Sequence, residues 1–86
     1  MGNDVEIYGS KLYAVINCSH KVEVMRAADA VSVARIDIPN CRYVIGHGRY
    51  VYVSSYVSPT QGDARAPLGA VFKVDTLSLA IVGRVD

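Results

Sequence analysis

The sequence predicts an all-β fold built from two four-stranded antiparallel units, one after the other. Three observations carry this expectation. The stretch GSKLYAVIN from Gly9 is echoed by GRYVYVSSY from Gly48, 39 residues on. A second stretch, VEVMRAADAVSVARID (Val22 to Asp37), is echoed by VFKVDTLSLAIVGRVD (Val71 to Asp86), 49 residues on. Between the turn signals, the apolar runs are short and rich in Val, Ile and Tyr, which suits strands rather than helices.

The elements follow in order. Val5 to Tyr8 reads as a strand, Gly9-Ser10 as a two-residue hairpin signal, and Leu12 to Ile16 as the second strand. Val22 to Ile36 is ambiguous by itself, because Ala27, Ala28, Ala30 and Ala34, with Met25 and two arginines, also suit an amphipathic helix. Its alignment with Val71 to Val85, which has little Ala and contains Thr76, Ile81 and Val82, favours two strands. In the second copy, strands are expected at Tyr43 to Ile45 and Tyr50 to Ser55, around a turn at Gly46-His47-Gly48. Two more are expected at Ala70 to Val74 and Leu79 to Val85, around a turn at Asp75 to Ser78, where Asp and Ser can bond their own backbone. The two offsets differ by the ten residues SPTQGDARAP, 58–67, whose Pro, Gly and polar content marks a surface loop inserted in the second copy. The units are therefore 5–41 and 42–86.

Runs such as Val51-Tyr52-Val53 and Leu12 to Ile16 lack the alternation of a sheet wetted on one side, so both faces of each sheet should be covered. Four-stranded repeats of about 40 residues, flanked on both faces, are what a β-propeller requires. The expected architecture is thus β-propeller-like: two four-stranded antiparallel blades, part of a larger or oligomeric ring. A ring needs about four to eight blades, so the expected partner is either the rest of a longer propeller chain or further copies of this one packed head to tail.

The motifs GRYVYVSSY and GAVFKVDTLSLAIVGRV resemble the bacterial YVTN-type propeller repeat, whose blades commonly read G-x-x-V/L-Y-V, then V-x-V-I-D-T, then V-x-x-I. The resemblance covers nearly the whole chain from Val5; the first copy departs from it at Arg26-Ala27-Ala28-Asp29, where the D-T turn is missing. It implies a bacterial, periplasmic or cell-surface setting and a non-enzymatic binding or scaffold module. The alternative it implies is a fragment of a propeller enzyme of the quinoprotein dehydrogenase or lactonase type, whose cofactor or metal is held by residues from several blades.

Composition excludes little and points nowhere basic. Nine Lys and Arg against eight Asp and Glu leave a formal charge of +1, with no electrostatic footprint for nucleic acid. The longest uncharged stretch, Tyr50 to Gly62, is interrupted by Pro59 and is too short for a membrane helix, so no membrane insertion is expected. The N-terminal residues lack the features of a secretory signal.

Antiparallel blades place the second-to-third loops and the links between blades at one end of the units. That end collects Asn17-Cys18-Ser19-His20, the 58–67 insertion and Asp37 to Cys41, and loops on a rigid scaffold are where binding usually sits. Candidate partner-contact residues are Cys18, His20, Cys41, Gln61, Asp63 and Arg65, facing a protein or carbohydrate ligand; a solvated loop without contacts is the alternative. Cys18 and Cys41 read as two unrelated thiols, a disulfide or, with His20, three zinc-type donors at a spacing that matches no compact zinc motif. Asn17-Cys18-Ser19 fits the glycosylation pattern. His47 has no triad partner beside it and reads as a turn histidine at the opposite end. Tyr8, Tyr13, Tyr50 and Tyr52 are expected to pack blade against blade, with hydroxyls on water or backbone. No catalytic residue, metal or cofactor is expected.

Overall fold

The computed structural model describes residues 4–16, 20–56 and 69–85, and these contain eight strands and no helix. The strands are β1 (Val5–Tyr8), β2 (Lys11–Ile16), β3 (Lys21–Arg26) and β4 (Ser32–Asp37), then β5 (Cys41–His47), β6 (Tyr50–Tyr56), β7 (Gly69–Asp75) and β8 (Ile81–Val85). They form two antiparallel meanders, β1-β2-β3-β4 and β5-β6-β7-β8. The Ala-rich segment that suits a helix in isolation is β3, a turn and β4: Val22 and Val24 alternate inward, and strand pairing overrides the alanine propensity.

The second sheet repeats the first residue by residue. Val5 opposite Ala14 becomes Val44 opposite Val53, and Val22 opposite Ile36 becomes Val71 opposite Val85. The third strand of each sheet carries a bulge at the same place, Val24/Met25 and Lys73/Val74. Hydrogen bonds outside the ladders repeat as well. Ala27 N donates to Ser10 O and Thr76 N to Arg49 O; Ala30 N donates to Arg26 O and Leu79 N to Asp75 O. Ala30 and Leu79 both have a left-handed backbone, at φ 60° and 57°. Gly9 and Gly48, both at φ 63°, open the two hairpins between first and second strands, where only glycine takes that conformation without strain.

This corrects one expected turn. Gly46 and His47 are not turn residues but the end of β5, and the turn is Gly48-Arg49. Gly46 is a glycine for another reason: a Cβ there would lie 2.2 Å from Cδ1 of Tyr8. The Tyr8 ring sits on the bare backbone of β5, and its hydroxyl donates to Gly48 O at 2.6 Å. Beside it, Gly46 N donates to the Glu6 carboxylate at 2.8 Å. Leu79 likewise belongs to the turn, and β8 begins at Ile81.

These contacts join the two sheets face to face, with β1 and β2 closest to β5. One core runs through both: Tyr13, Val22, Val24 and Ile36 of the first sheet meet Val44, Val51, Val53, Ala70, Phe72 and Val74 of the second. Fully burying a side chain of this size contributes about 1.5–3 kcal/mol, so this joint holds much of the apolar stabilisation.

Gly46→Ala is expected to lower stability by about 1–3 kcal/mol, the usual cost of overpacking. In a Tyr8→Ala background the same change should cost less than half as much. Urea denaturation of the four variants measures this, and equal costs in both backgrounds would show that the ring is not the obstacle.

Candidate functional site

The loop end of the molecule is built at the ends of β2, β4 and β6 and the beginnings of β3, β5 and β7. Cys18, Gln61, Asp63, Arg65, the 58–67 insertion and the Asn17 acceptor site lie outside the described residues. His20 and Cys41 are described, and both make hydrogen bonds to backbone. His20 Nδ1 accepts from Asn40 N at 3.0 Å, and His20 O accepts from Ile38 N at 3.1 Å, so this residue clamps the link between the sheets. Asn40 turns that link with φ 52°, a conformation asparagine tolerates. Cys41 is the first residue of β5 rather than part of the link; it is fully buried with a free thiol, and Sγ donates to Lys21 O at 3.4 Å. Burial pushes that thiol above its ordinary range. Ser55 Oγ donates to Pro39 O and ties β6 to the same link. Among the described residues, no three His, Cys, Asp or Glu side chains are grouped to hold a metal.

The chemistry-poor but physically pronounced feature is the pair of open sheet faces. Side chains of alternate residues define two faces in each unit. In the first sheet, Tyr8, Tyr13, Val22, Val24 and Ile36 point into the joint; in the second, Val44, Gly46, Val51, Val53, Phe72 and Val74 do. Under the offsets of 39 and 49 these are opposite faces of the repeated unit. The joint is therefore heterologous, and each kind of face is left open once. Equivalent positions report it directly. Val22 is 0% exposed and Val71 39%; Ile36 is 7% exposed and Val85 69%; Val44 is 0% exposed and Val5 48%. Only the presence or absence of the neighbouring sheet separates the members of each pair.

The two open faces differ in character. That of the second sheet has a shallow, mostly apolar depression of about 180 Å³ lined by Tyr43, Ile45, Tyr52, Ser54 and Val71, with Lys73 and His47 on the same face. That of the first is apolar along β1 and β2, where Val5 and Ile7 are exposed. It turns charged along β3 and β4, where Lys21 meets Asp37 at 2.7 Å and Arg35 meets Glu23 at 3.7 Å. The same cross-strand position in the second sheet holds Phe72, buried in the joint, with the exposed Arg84 guanidinium 5.4 Å from its ring.

The tyrosines depart partly from expectation. Tyr8 packs sheet on sheet with its hydroxyl on backbone, but the buried Tyr13 hydroxyl has no partner among the described residues, and burial raises its pKa, with the Tyr8 phenol adding. Tyr50 and Tyr52 stand edge to face at 6.5 Å, and the Lys73 ammonium lies 4.0 Å from the Tyr50 ring. Tyr52, which occupies the place of Tyr13, lines the open face rather than a joint. His47, at the end of β5, is exposed.

The third-to-fourth turns reach one backbone geometry by different side chains. Asp75 Oδ1 accepts from Leu77 N at 2.7 Å and Ser78 N at 3.2 Å, while Oδ2 accepts from Arg49 Nε at 3.1 Å. In the first copy the carboxylate moves to the end of the turn: Asp29 accepts from Arg26 at 3.2 and 2.8 Å and from Val31 N at 3.3 Å. Backbone donors, Leu77 first, hold Asp75 below the ordinary carboxylate range; for Asp29 it is the Arg26 side chain first. Compared with known protein families and with curated proteins, the sequence matches none.

Two measurements check this account. In a Cys18→Ser variant, Cys41 should react with a disulfide reagent only at the rate of unfolding, and become fully reactive in denaturant; fast native labelling would contradict its burial. A carboxylate with a depressed folded pKa stabilises above its ordinary value of 3.8 and loses that contribution as pH falls through the folded value. Asp75→Asn should therefore reduce the loss of stability as pH falls below about 4, followed by thermal melts, and an unchanged slope would remove Asp75 from the explanation.

Proposed function

We propose that this chain is a non-enzymatic scaffold and binding module: one sector of a propeller-like ring, with its open faces covered by sheets of the same kind. The single observation that supports it is the heterologous joint. Two equivalent sheets pack unlike faces together, and such a contact repeats until it closes a ring or grows without limit. The progressive burial in β-propellers works in this way, each blade covering the next. The loop end supplies the binding role, since its bases are held rigidly by the His20, Asn40, Ser55 and Cys41 contacts, and β6 and β7 flank residues 57–68 there.

Closure is the part of this reading that can fail. A single polypeptide of about three or four tandem copies, matching a ring of six to eight blades, should scatter X-rays as a flat disc and unfold at higher temperature than one copy. A rod-shaped profile, or a melting temperature that does not rise with copy number, would sink the ring.

A further inference from the structure

We infer that a second copy of this chain docks on the open face of β5, β6 and β7, and that it does so through the β1–β2 half of its own first sheet. The inference rests on the scaffold reading above and adds its occupant and its residues. This contact would continue the joint already present within the chain. Within one chain, the face carrying Tyr8, Tyr13 and Val22 is covered by the face carrying Val44, Gly46 and Val51. Their equivalents are the two open faces: His47, Tyr52 and Val71 on the second sheet, and Val5, Ile7 and Leu12 on the first.

The distribution of polarity limits where that contact forms. The apolar strip of Val5, Ile7 and Leu12 lies on the strands equivalent to β5 and β6, and β5 is the strand approached most closely by the first sheet within the chain. The charges of Lys21, Glu23, Arg35 and Asp37 lie on β3 and β4, beyond the strip, and already pair with one another. An apolar centre with a polar, solvated rim is the ordinary anatomy of an interface between separately folded molecules. Two substitutions make the contact looser than the internal joint. Ile7 stands where Gly46 admits the Tyr8 ring, and His47 stands where Tyr8 inserts. The association is accordingly weaker than the joint inside the chain, and reversible.

Complementation tests it. The wild-type chain should show a concentration-dependent mass above the monomer in sedimentation. Val71→Asp blocks one face and Ile7→Asp the other; both positions are exposed, so circular dichroism should show the fold intact. Each variant alone should be monomeric, and an equimolar mixture should form one heterodimer and nothing larger, because each supplies the face the other lacks. Ile45→Lys with Val5→Lys provides an independent pair. Three results overturn the inference: a folded wild-type monomer at every concentration, monomerisation by Val71→Asp but not Ile7→Asp, which would mean like faces meeting, or a mixture that stays monomeric. Rescue in the mixture together with a rod-shaped tandem chain would leave this contact standing and sink only the ring.

Discussion

The joint between unlike faces is the constraint from which the rest of the molecule follows. A four-stranded sheet apolar on both sides has no stable existence in water, and each unit here is covered on one side by the other. The register fixes how: Tyr8 rests on the backbone of Gly46 and bonds Gly48, Glu6 takes the amide of Gly46, and the valines of β3 and β6 fill the space beyond. Because the covering sheet presents the opposite face from the covered one, the arrangement has no two-fold axis. A contact between like faces would have closed on itself; this one leaves two different faces behind.

The repeat shows what covering does to side-chain choice. Equivalent positions keep their backbone geometry to the level of single hydrogen bonds, yet their chemistry tracks the presence of a neighbour. Phe72, buried in the joint, becomes Glu23 on the open face, and the buried Ala70 becomes Lys21. The internal joint also carries a strained feature, since the buried Tyr13 hydroxyl finds no hydrogen-bond partner among the described residues, and a buried polar group without one destabilises by about 1–3 kcal/mol. The turns tolerate more variation than the faces, because their requirement is a carboxylate near backbone N–H groups, and Asp29 and Asp75 meet it from different positions.

At this end of the sheets, the link is held by side chains of chemically versatile types, His, Cys and Ser. His20 holds the amide of Asn40, Cys41 is sealed beneath the carbonyl of Lys21, and Ser55 takes the carbonyl of Pro39. These contacts bind the first sheet, the link and the second sheet into one support, from which the chain leaves at Tyr56 and returns at Gly69.

The sequence by itself determined the all-β class, the eight strands and the order of the two units, because period, turn residues and apolar phase act locally and act twice. Its offsets of 39 and 49 residues matched the strands of the second unit to those of the first and set the ten residues 58–67 apart from the repeat. Only the tertiary structure decided that Gly46 belongs to a strand, since its reason is a ring from 38 residues away and not a local turn. It also decided that Cys41 is buried, that the Tyr13 hydroxyl is stranded, and which face of each sheet is covered. A strand with apolar residues on both sides does not encode which side meets its neighbour; that choice arises only when the two sheets pack, because it depends on the shape of the opposing surface.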